Sequence, residues 1–454
     1  MNGRGNRVAV ATIALGLGFA GLADAAILKG PYLQDVTTNA ATICIEADSD
    51  GVASVEYGPD ESLGQSLGAN AWREKTFPDG VRYMYRIRIT GLERGTSYVY
   101  RAIHGGDASD DIVFTTMPDN MTPFRFVSIG DTRNGSPESP NLIHVDIAEA
   151  VAAQTPLFYL NTGDFVADGG HYEDWDYHFL VENDLMGISP IVPVFGNHED
   201  GYDDVTGFTG DELWKWYYDT GTGEDARTWF SFDVGNVHVA VVDLQKWWTL
   251  LPGMTQIEWL RDDLEQDQLD TRTNFTIVSY HQPAFTYKEG RTPDIAARFM
   301  VEPVVRAFGV DLVLSGHDHF YARHELNGIP HVITAGGGAA LYDVYPGIQS
   351  WPGFRAHARD HHYMIAEVAS ERIDFEVYSI TNGDLLDAFS IEADAPPTED
   401  DDTDDDDDDV ADDDTDDDAT DDDATDDDTG TPDHDTPSAD GDSSGEDDND
   451  GCGC

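Results

Sequence analysis

The sequence predicts an α/β fold preceded by a small antiparallel β-sandwich, and three observations predict it. Residues 27 to about 117 alternate apolar and polar side chains in short segments separated by turn signals, the pattern of an antiparallel sandwich. From Phe124 onward the segments become apolar strands that end in Gly-Asp, Gly-Asn or a His. Helical stretches lie between some of them, which indicates a layered α/β core rather than a second sandwich.

Taken in order, Met1 to Ala25 carries Arg4 and Arg7, an apolar run from Val8 to Leu22, and then Ala23-Asp24-Ala25. This reads as a signal peptide cut before Ala26, too short and wrongly flanked for a membrane span. The protein is therefore expected to be exported, to a periplasm, a cell surface or the medium. Residues 26–118 hold the alternating strands, at 41–46, 52–57, 83–90, 97–102 and 111–115. Within them Thr90-Gly-Leu-Glu-Arg-Gly-Thr-Ser-Tyr98 resembles the loop and strand entry of fibronectin type III domains. No His or carboxylate cluster occurs there, so this part reads as a positioning module.

Residues 119–393 form the second region. Phe124–Ile129 runs into Gly130-Asp131, 157–160 into Gly163-Asp164, and 191–195 into Gly196-Asn197-His198. Then 275–279 runs into His281, and 311–315 into Gly316-His317-Asp318-His319. Helices are expected at 141–154, at 256–266 behind a Thr255-Gln-Ile-Glu258 capping box, and at 295–308 with a kink at Pro303. Segments 165–190, 200–228 and 283–294 read as loops that wall a pocket.

Charge and composition narrow the function. The chain of 454 residues has a formal net charge of −64, and 32 of its 89 acidic residues lie in 391–454, a stretch without Lys or Arg. Residues 394–454 are expected to be a disordered Asp-rich tail, since such a run repels itself and buries nothing. It lacks EF-hand spacing, so any Ca²⁺ binding by the tail is expected to be diffuse. The tail ends in Gly-Cys-Gly-Cys, and Cys452 and Cys454 offer a point for cell-surface anchoring through the C-terminus. The acidity excludes a nucleic-acid partner, whose phosphates require Lys and Arg, and together with only five Lys it suggests a salty habitat that screens self-repulsion. No other apolar stretch has the length of a transmembrane helix. Cys44 alone lies in a folded region, so no disulfide framework exists there.

The strand-end loops carry the chemistry. Asp131, Asp164, Asn197, His281, His317 and His319 offer carboxylate, amide oxygen and imidazole, a donor set for Zn, Fe or Mn that needs no thiolate. If the loop after 311–315 stays extended, His317 and His319 point the same way and can serve adjacent ions. Two such ions bridged by a carboxylate form a clamp for hydrolysing phosphate esters. In functional α/β folds such groups gather beyond the carboxyl ends of the strands.

Gly130-Asp-Thr-Arg133, Gly163-Asp164, Gly196-Asn-His-Glu199, His281 and Gly316-His-Asp-His319 resemble, in order, the blocks of the calcineurin-like metallophosphoesterases. The preceding fibronectin-like segment and His319-Phe-Tyr-Ala-Arg323 make the purple acid phosphatase branch the most similar. The resemblance covers roughly residues 27–390 and implies a layered α/β/β/α catalytic domain with a dinuclear centre of Fe, Zn or Mn. In it, Asp164 would bridge both ions, Asp131 and His319 would hold the first, and Asn197, His281 and His317 the second. His198 would protonate the leaving group while a metal-bound hydroxide attacks phosphorus. The implied activity is that of an exported phosphoesterase, acid-phosphatase-like, on small phosphate esters, with a monoester or a diester as substrate.

The chain departs from that pattern at three places. Arg133 stands where the superfamily has a His ligand, and Ala167 where the purple enzymes have a Tyr, so no tyrosinate-to-iron colour is expected. Tyr159, Asp168 and His171 are the available replacements. Arg133 itself suits a forked grip on phosphate. Directly after His281, Gln282-Pro-Ala-Phe-Thr-Tyr-Lys288 carries no further His, which alters the substrate pocket. Such losses leave open a second class of function, an idle surface binding or adhesion protein that retains the fold.

Other features have plain readings. His144, His178, His238, His331, His361 and His362 match no block and read as structural. Tyr321 and Arg323 either pack the loop or touch substrate. The aromatic run 214–218 with Trp247-Trp248 either lines a groove for an organic leaving group or packs the core, and Gly336-Gly-Gly338 reads as a tight turn.

Overall fold

The computed structural model describes residues 26–70, 72–119, 123–218 and 228–393; the expected signal peptide and acidic tail lie outside the described residues. Strands β1 (Ile27–Gln34), β2 (Ala40–Ala47), β3 (Val52–Gly58), β4 (Gln65–Asn70), β5 (Arg73–Phe77), β6 (Gly80–Thr90), β7 (Ser97–His104), β8 (Asp107–Ala108) and β9 (Ile112–Thr115) build the sandwich. Its sheets run β1-β2-β6-β5 and β4-β3-β7-β8, with β9 on the free side of β7. The sequence pattern found β2, β3, β6, β7 and β9. It missed β1, whose Gly30-Pro31 interrupts the alternation, and the largely exposed β4 and β5.

Every residue of β2 is buried. One face, Ala41, Ile43 and Ile45, enters the sandwich core; the other, with Cys44 and Glu46, is covered from outside. The cover is α2 (Tyr172–Ile188) and α3 (Gly210–Tyr217). Gly30 N–H donates to Asn183 at 2.7 Å, Tyr32 OH to the Tyr217 carbonyl at 2.9 Å, and the Trp216 indole to Glu46 at 2.7 Å. All described residues belong to one compact unit.

Beyond the sandwich, β10 (Phe124–Ile129), β11 (Phe158–Asn161) and β12 (Ile191–Pro193) pair in parallel. With β20 (His362–Val368), β21 (Arg372–Ser379) and β22 (Leu385–Glu392) they form a sheet of order β12-β11-β10-β20-β21-β22. A second sheet takes β13 (Phe230–Val234), β14 (Val237–Val241), β15 (Phe275–Ser279), β16 (Leu312–Ser315), β17 (Tyr321–Leu326), β18 (Ile329–Thr334) and β19 (Phe354–Ala358) in the order β13-β14-β15-β16-β18-β17-β19.

Period-two alternation sorts the side chains into layers. Phe126, Phe158 and Leu160 face Val239, Ile277 and Leu314 between the sheets. Val127, Ile129 and Tyr159 point outward to α1 (Leu142–Ala153), α2 and α3. Val278, Tyr280 and Val313 point to the other side, against α4 (Thr255–Leu269) and α5 (Glu302–Ala307). The result is the expected α/β/β/α stack, with β10, β11, β15 and β16 ending at one edge.

The helices correct the sequence reading in part. α1 has the expected extent, with the Asn141 side chain accepting from Ile143 N–H at 3.1 Å. α4 is capped at Met254 without a side-chain bond, so the expected capping box is absent; Thr255 already lies in the first turn. A capping box closes α3 instead, between Thr209 and Glu212. At 297–301 the chain makes one π turn just before Pro303, since a proline lacks the N–H that a regular turn requires. Segment 165–190 is not a loop but mostly α2. Trp175, His178, Phe179, Glu182 and Met186 are all buried along it, and a helix covered on several sides shows no amphipathic stripe.

Candidate metal centre

Three of the candidate residues sit in left-handed backbone directly after a glycine: Asp131 at φ 57°, Asp164 at φ 57° and His317 at φ 67°. Such backbone costs on the order of 1–3 kcal/mol in a non-glycine residue and persists where surroundings over-determine it, often at functional sites. The preceding glycines are needed for clearance. A Cβ on Gly163 would lie 2.6 Å from His281 Nδ1, and one on Gly316 2.7 Å from an Asp131 carboxylate oxygen. The repeated Gly-Asp and Gly-His pairs thus record chain segments passing tightly against one another's side chains.

Five of the six candidates, Asp131, Asp164, His281, His317 and His319, converge beyond the strand edge, and the backbone next to the sixth, Asn197, meets Asp164 through the His198 N–H. Asp131 and Asp164 are fully buried or nearly so, as are His281 and His319. Asp164 Oδ1 lies 3.1 Å from His281 Nε2 and accepts the His198 backbone N–H at 3.0 Å. Asp131 Oδ1 lies 3.2 Å from His319 Nε2, and its other oxygen accepts His317 N–H at 2.9 Å. Donor atoms within 4.8 Å of one another group Asp164 with His281 and His317, and Asp131 with Asp164 and His319. Asp164 is common to both groups.

The imidazoles are oriented from behind. His281 Nδ1 donates to the Thr162 carbonyl at 2.7 Å, His319 Nδ1 to Ala340 at 2.7 Å and His198 Nδ1 to Ala167 at 2.5 Å. A carbonyl only accepts, so each Nδ1 carries the proton and each Nε2 faces the centre, the arrangement that backbone carbonyls behind the ring give metal-binding histidines. Asp131 Oδ1, Asn197 Oδ1 and His281 Nε2 are buried atoms without a hydrogen-bond partner. Orphaned acceptors are costly, and here three of the candidate residues each supply one. The donor set therefore fits divalent metal ions.

Electrostatics agree with a site built for cations. Burial lowers the His281 pKa, but the Asp164 carboxylate outweighs it and pushes the value up to about 9. Burial raises Asp164, and His281, His198 and Arg133 outweigh that and hold it well below the usual carboxylate range. His317 is pushed down to about 2 by burial and by the charges of His281 and Arg291.

Several details differ from the sequence reading. The loop at His317 is not extended; it turns left-handed, and the two histidines reach different groups of donors by that turn rather than by strand alternation. Asp318 points away, accepting from Thr286 and from Arg291 at 2.5 Å. None of the three replacements for the missing ligand reaches the centre. Tyr159 gives its hydroxyl to Glu182 at 2.7 Å, Asp168 accepts Gly170 N–H at 2.9 Å, and His171 is the exposed N-cap of α2. Arg133 does arrive, with Nε 3.5 Å from Asp164 and Nη2 3.5 Å from His319 Nε2. Tyr321 and Arg323 bond Asp387 at 2.7 and 2.8 Å, so they pack β17 on β22. Of the aromatic run, Trp214, Trp216, Tyr217 and Tyr218 are core, while Trp247 and Trp248 are half exposed.

Two groups escaped the sequence reading. Glu199 is fully buried and accepts the backbone N–H of Asp164 at 2.8 Å, Phe165 at 2.9 Å, Val166 at 3.3 Å and Gly196 at 2.8 Å. It ties the Asp164 loop to the Asn197 loop, and only its place in Gly196-Asn-His-Glu199 hinted at it. Behind that loop His144 and His178 meet Glu182, whose carboxylate takes His144 at 2.8 Å. Burial raises Glu182, yet the two imidazoles hold it at about 2.

Comparison with known proteins agrees with this geometry. Residues 124–321 match the calcineurin-like phosphoesterase family. An uncharacterized protein of Mycobacterium tuberculosis is 28% identical over 269 residues, 53% of this chain and 50% of that protein. Purple acid phosphatase 18 of Arabidopsis thaliana is 26% identical over 291 residues, 61% of each chain. The chain thus spans between half and two thirds of the length of these relatives. The structure of a purple acid phosphatase from yellow lupin (Lupinus luteus) seeds superposes with a TM-score of 0.67 at 20% identity, covering 80% of this chain and 74% of the other. Residues 124–321 therefore match the calcineurin-like phosphoesterase family, and the chain is similar in sequence and in fold to purple acid phosphatases of that family.

Proposed function

We propose that the protein is an exported, metal-dependent hydrolase of small phosphate esters, acid-phosphatase-like, with a dinuclear centre of Fe, Zn or Mn. The observation that carries this reading is the convergence of carboxylate and imidazole donor atoms from four loops into two groups, Asp131 with Asp164 and His319 and Asp164 with His281 and His317, with Asp164 common to both. Asp131 and His319 would hold one ion, Asn197, His281 and His317 the other, and Asp164 both. Ions bound there supply charge neutralisation of the phosphoryl group and activation of water.

The remaining steps belong to side chains. His198 is placed to donate from Nε2 to the departing alkoxide, because its Nδ1–H is committed to Ala167 and its Nε2 stands 3.9 Å from Asp164. The Arg133 guanidinium, against both Asp164 and His319, would fork onto phosphate oxygens while filling the space of the missing ligand. With Ala167 at the place of the tyrosine ligand and Tyr159 committed to Glu182, the loaded protein should show no tyrosinate-to-iron band.

Metal analysis of the purified protein, beside hydrolysis of a phosphomonoester and a phosphodiester chromogen, tests the reading. Near two equivalents of metal, with turnover lost in His317→Ala, is the expected result. One equivalent or none, without turnover of either ester after reconstitution, would favour an idle binding protein; Arg133 in place of a ligand is the observation on that side.

A further inference from the structure

A cavity of about 600 Å³ adjoins the candidate centre, and His317 lines both. Its walls differ from the centre's. Pro283 and the Trp247 indole, 52% exposed, give an apolar surface, and the side chains of Gln245 and Gln282 give a polar edge. Arg291 also lines it, but its guanidinium is held by the His317 carbonyl at 3.0 Å and by Asp318, so it acts as wall.

Trp247 stands on a braced perch. It opens a short 3₁₀ turn to Leu250, closed by Thr249 bonding the Lys246 carbonyl through both N–H, at 2.8 Å, and hydroxyl, at 2.7 Å. The buried Gln256 of α4 holds that hydroxyl at 2.7 Å and the Asp243 backbone at 2.8 and 3.0 Å. Beside it, Gln245 Nε2 donates to Gln282 Oε1 at 2.8 Å. This leaves the Gln245 carbonyl oxygen to accept and the Gln282 amide to donate, one of each on this wall of the cavity, and a heterocycle edge carries both kinds of partner. A rigid exposed aromatic face is a sequence-tolerant stacking platform for planar rings.

We infer that this cavity seats the organic half of the ester and that this half is an aromatic or heteroaromatic group, stacked on Trp247 with its polar edge on the Gln245–Gln282 pair. The inference rests on the phosphoesterase reading for its reaction but not for its binding. Calorimetric titration of the metal-loaded full chain with phenylphosphonate and with methylphosphonate tests it in the wild type, Trp247→Ala and Trp247→Phe. The phenyl compound should bind about tenfold tighter in the wild type, the preference should vanish in Trp247→Ala with methylphosphonate affinity unchanged, and Trp247→Phe should keep most of it. In turnover, Gln282→Leu should lower kcat/KM for adenosine 5′-monophosphate more than for phenyl phosphate, and an equal loss on both would remove Gln282 from the polar edge. Equal affinity for the two phosphonates, binding of neither, or equal weakening of both in Trp247→Ala would overturn the inference. A phenyl preference in a protein that hydrolyses no ester would leave it standing and sink the hydrolase; hydrolysis without preference would do the reverse.

Discussion

His198 shows how a reactive group is held without help from an ion. Its ring is fixed through Nδ1 to Ala167 and its backbone N–H to Asp164, so substitution should leave the metal donors in place. His198→Ala is expected to lower kcat for a phosphomonoester by about 10²–10³ at unchanged metal content; loss of metal in step with turnover would make it a ligand instead. Glu199 makes the complementary case. Its four backbone N–H partners belong to the loops of Asp164 and Asn197, and an amide in its place would set an NH₂ against some of those donors. Metal affinity of Glu199→Gln, read by chelator competition, should fall about 10–100-fold. Wild-type affinity with only a lower Tm would reduce Glu199 to a folding role. The position of Glu199 was readable in its motif, but three of its four partners lie 33–35 residues earlier, and no local pattern encodes that distance.

At the scale of elements, β14 and α4 are joined by a titratable clamp. His238 on β14 contacts Asp233 at 2.7 Å, and Asp263 and Asp267 of α4 at 3.0 and 4.0 Å. Burial lowers its pKa, but the carboxylates outweigh burial and push it up to about 10. The folded value thus lies above the unfolded value of about 6.5. The clamp's contribution is complete below about pH 6.5 and is lost as pH rises through about 10. Thermal midpoints of wild type and His238→Gln should differ most near pH 6 and converge by about pH 10; a constant gap would mean that the imidazolium is not what joins the two elements. Helices show the same division between local and distant causes. The sequence over α1 carries an apolar face of Ile143, Ile147, Ala148 and Val151, whereas α2, buried among β1, α1 and α3, lacked the contrast that a one-sided helix shows.

Across the whole molecule, the sandwich is locked to the rest by a charge cluster. Asp176 of α2 bonds Lys29 at 2.5 Å and Arg82 at 2.8 Å, and both cations also meet Glu46. Asp176→Ala should cost about 2 kcal/mol, seen as a lower urea midpoint, because Arg82 and Lys29 are largely buried and keep only part of their compensation. No change in the midpoint would show that the apolar contacts and the bonds of Gly30, Tyr32 and Trp216 dock the sandwich without this cluster. Net charge acts on the same scale. With −64 on the chain, screening should raise both stability and phosphate-ester turnover from low to moderate ionic strength. A steady fall in turnover over that range would count against anionic substrates.

The sequence by itself determined the layered class, the order of the strands that end in Gly-Asp, Gly-Asn and His, and the donor types that meet there. Those features are local, since alternation, glycine before a crowded residue and side-chain chemistry can each be read within a few positions. Only the tertiary structure decided that the His317 loop turns left-handed, that Arg133 rather than Tyr159, Asp168 or His171 fills the place beside Asp164 and His319, and that the aromatic run separates into a buried core and the exposed Trp247. Each of these depends on which chain segments pass within a few ångströms of one another, and that is fixed by the packing of two sheets whose partners are far apart in sequence.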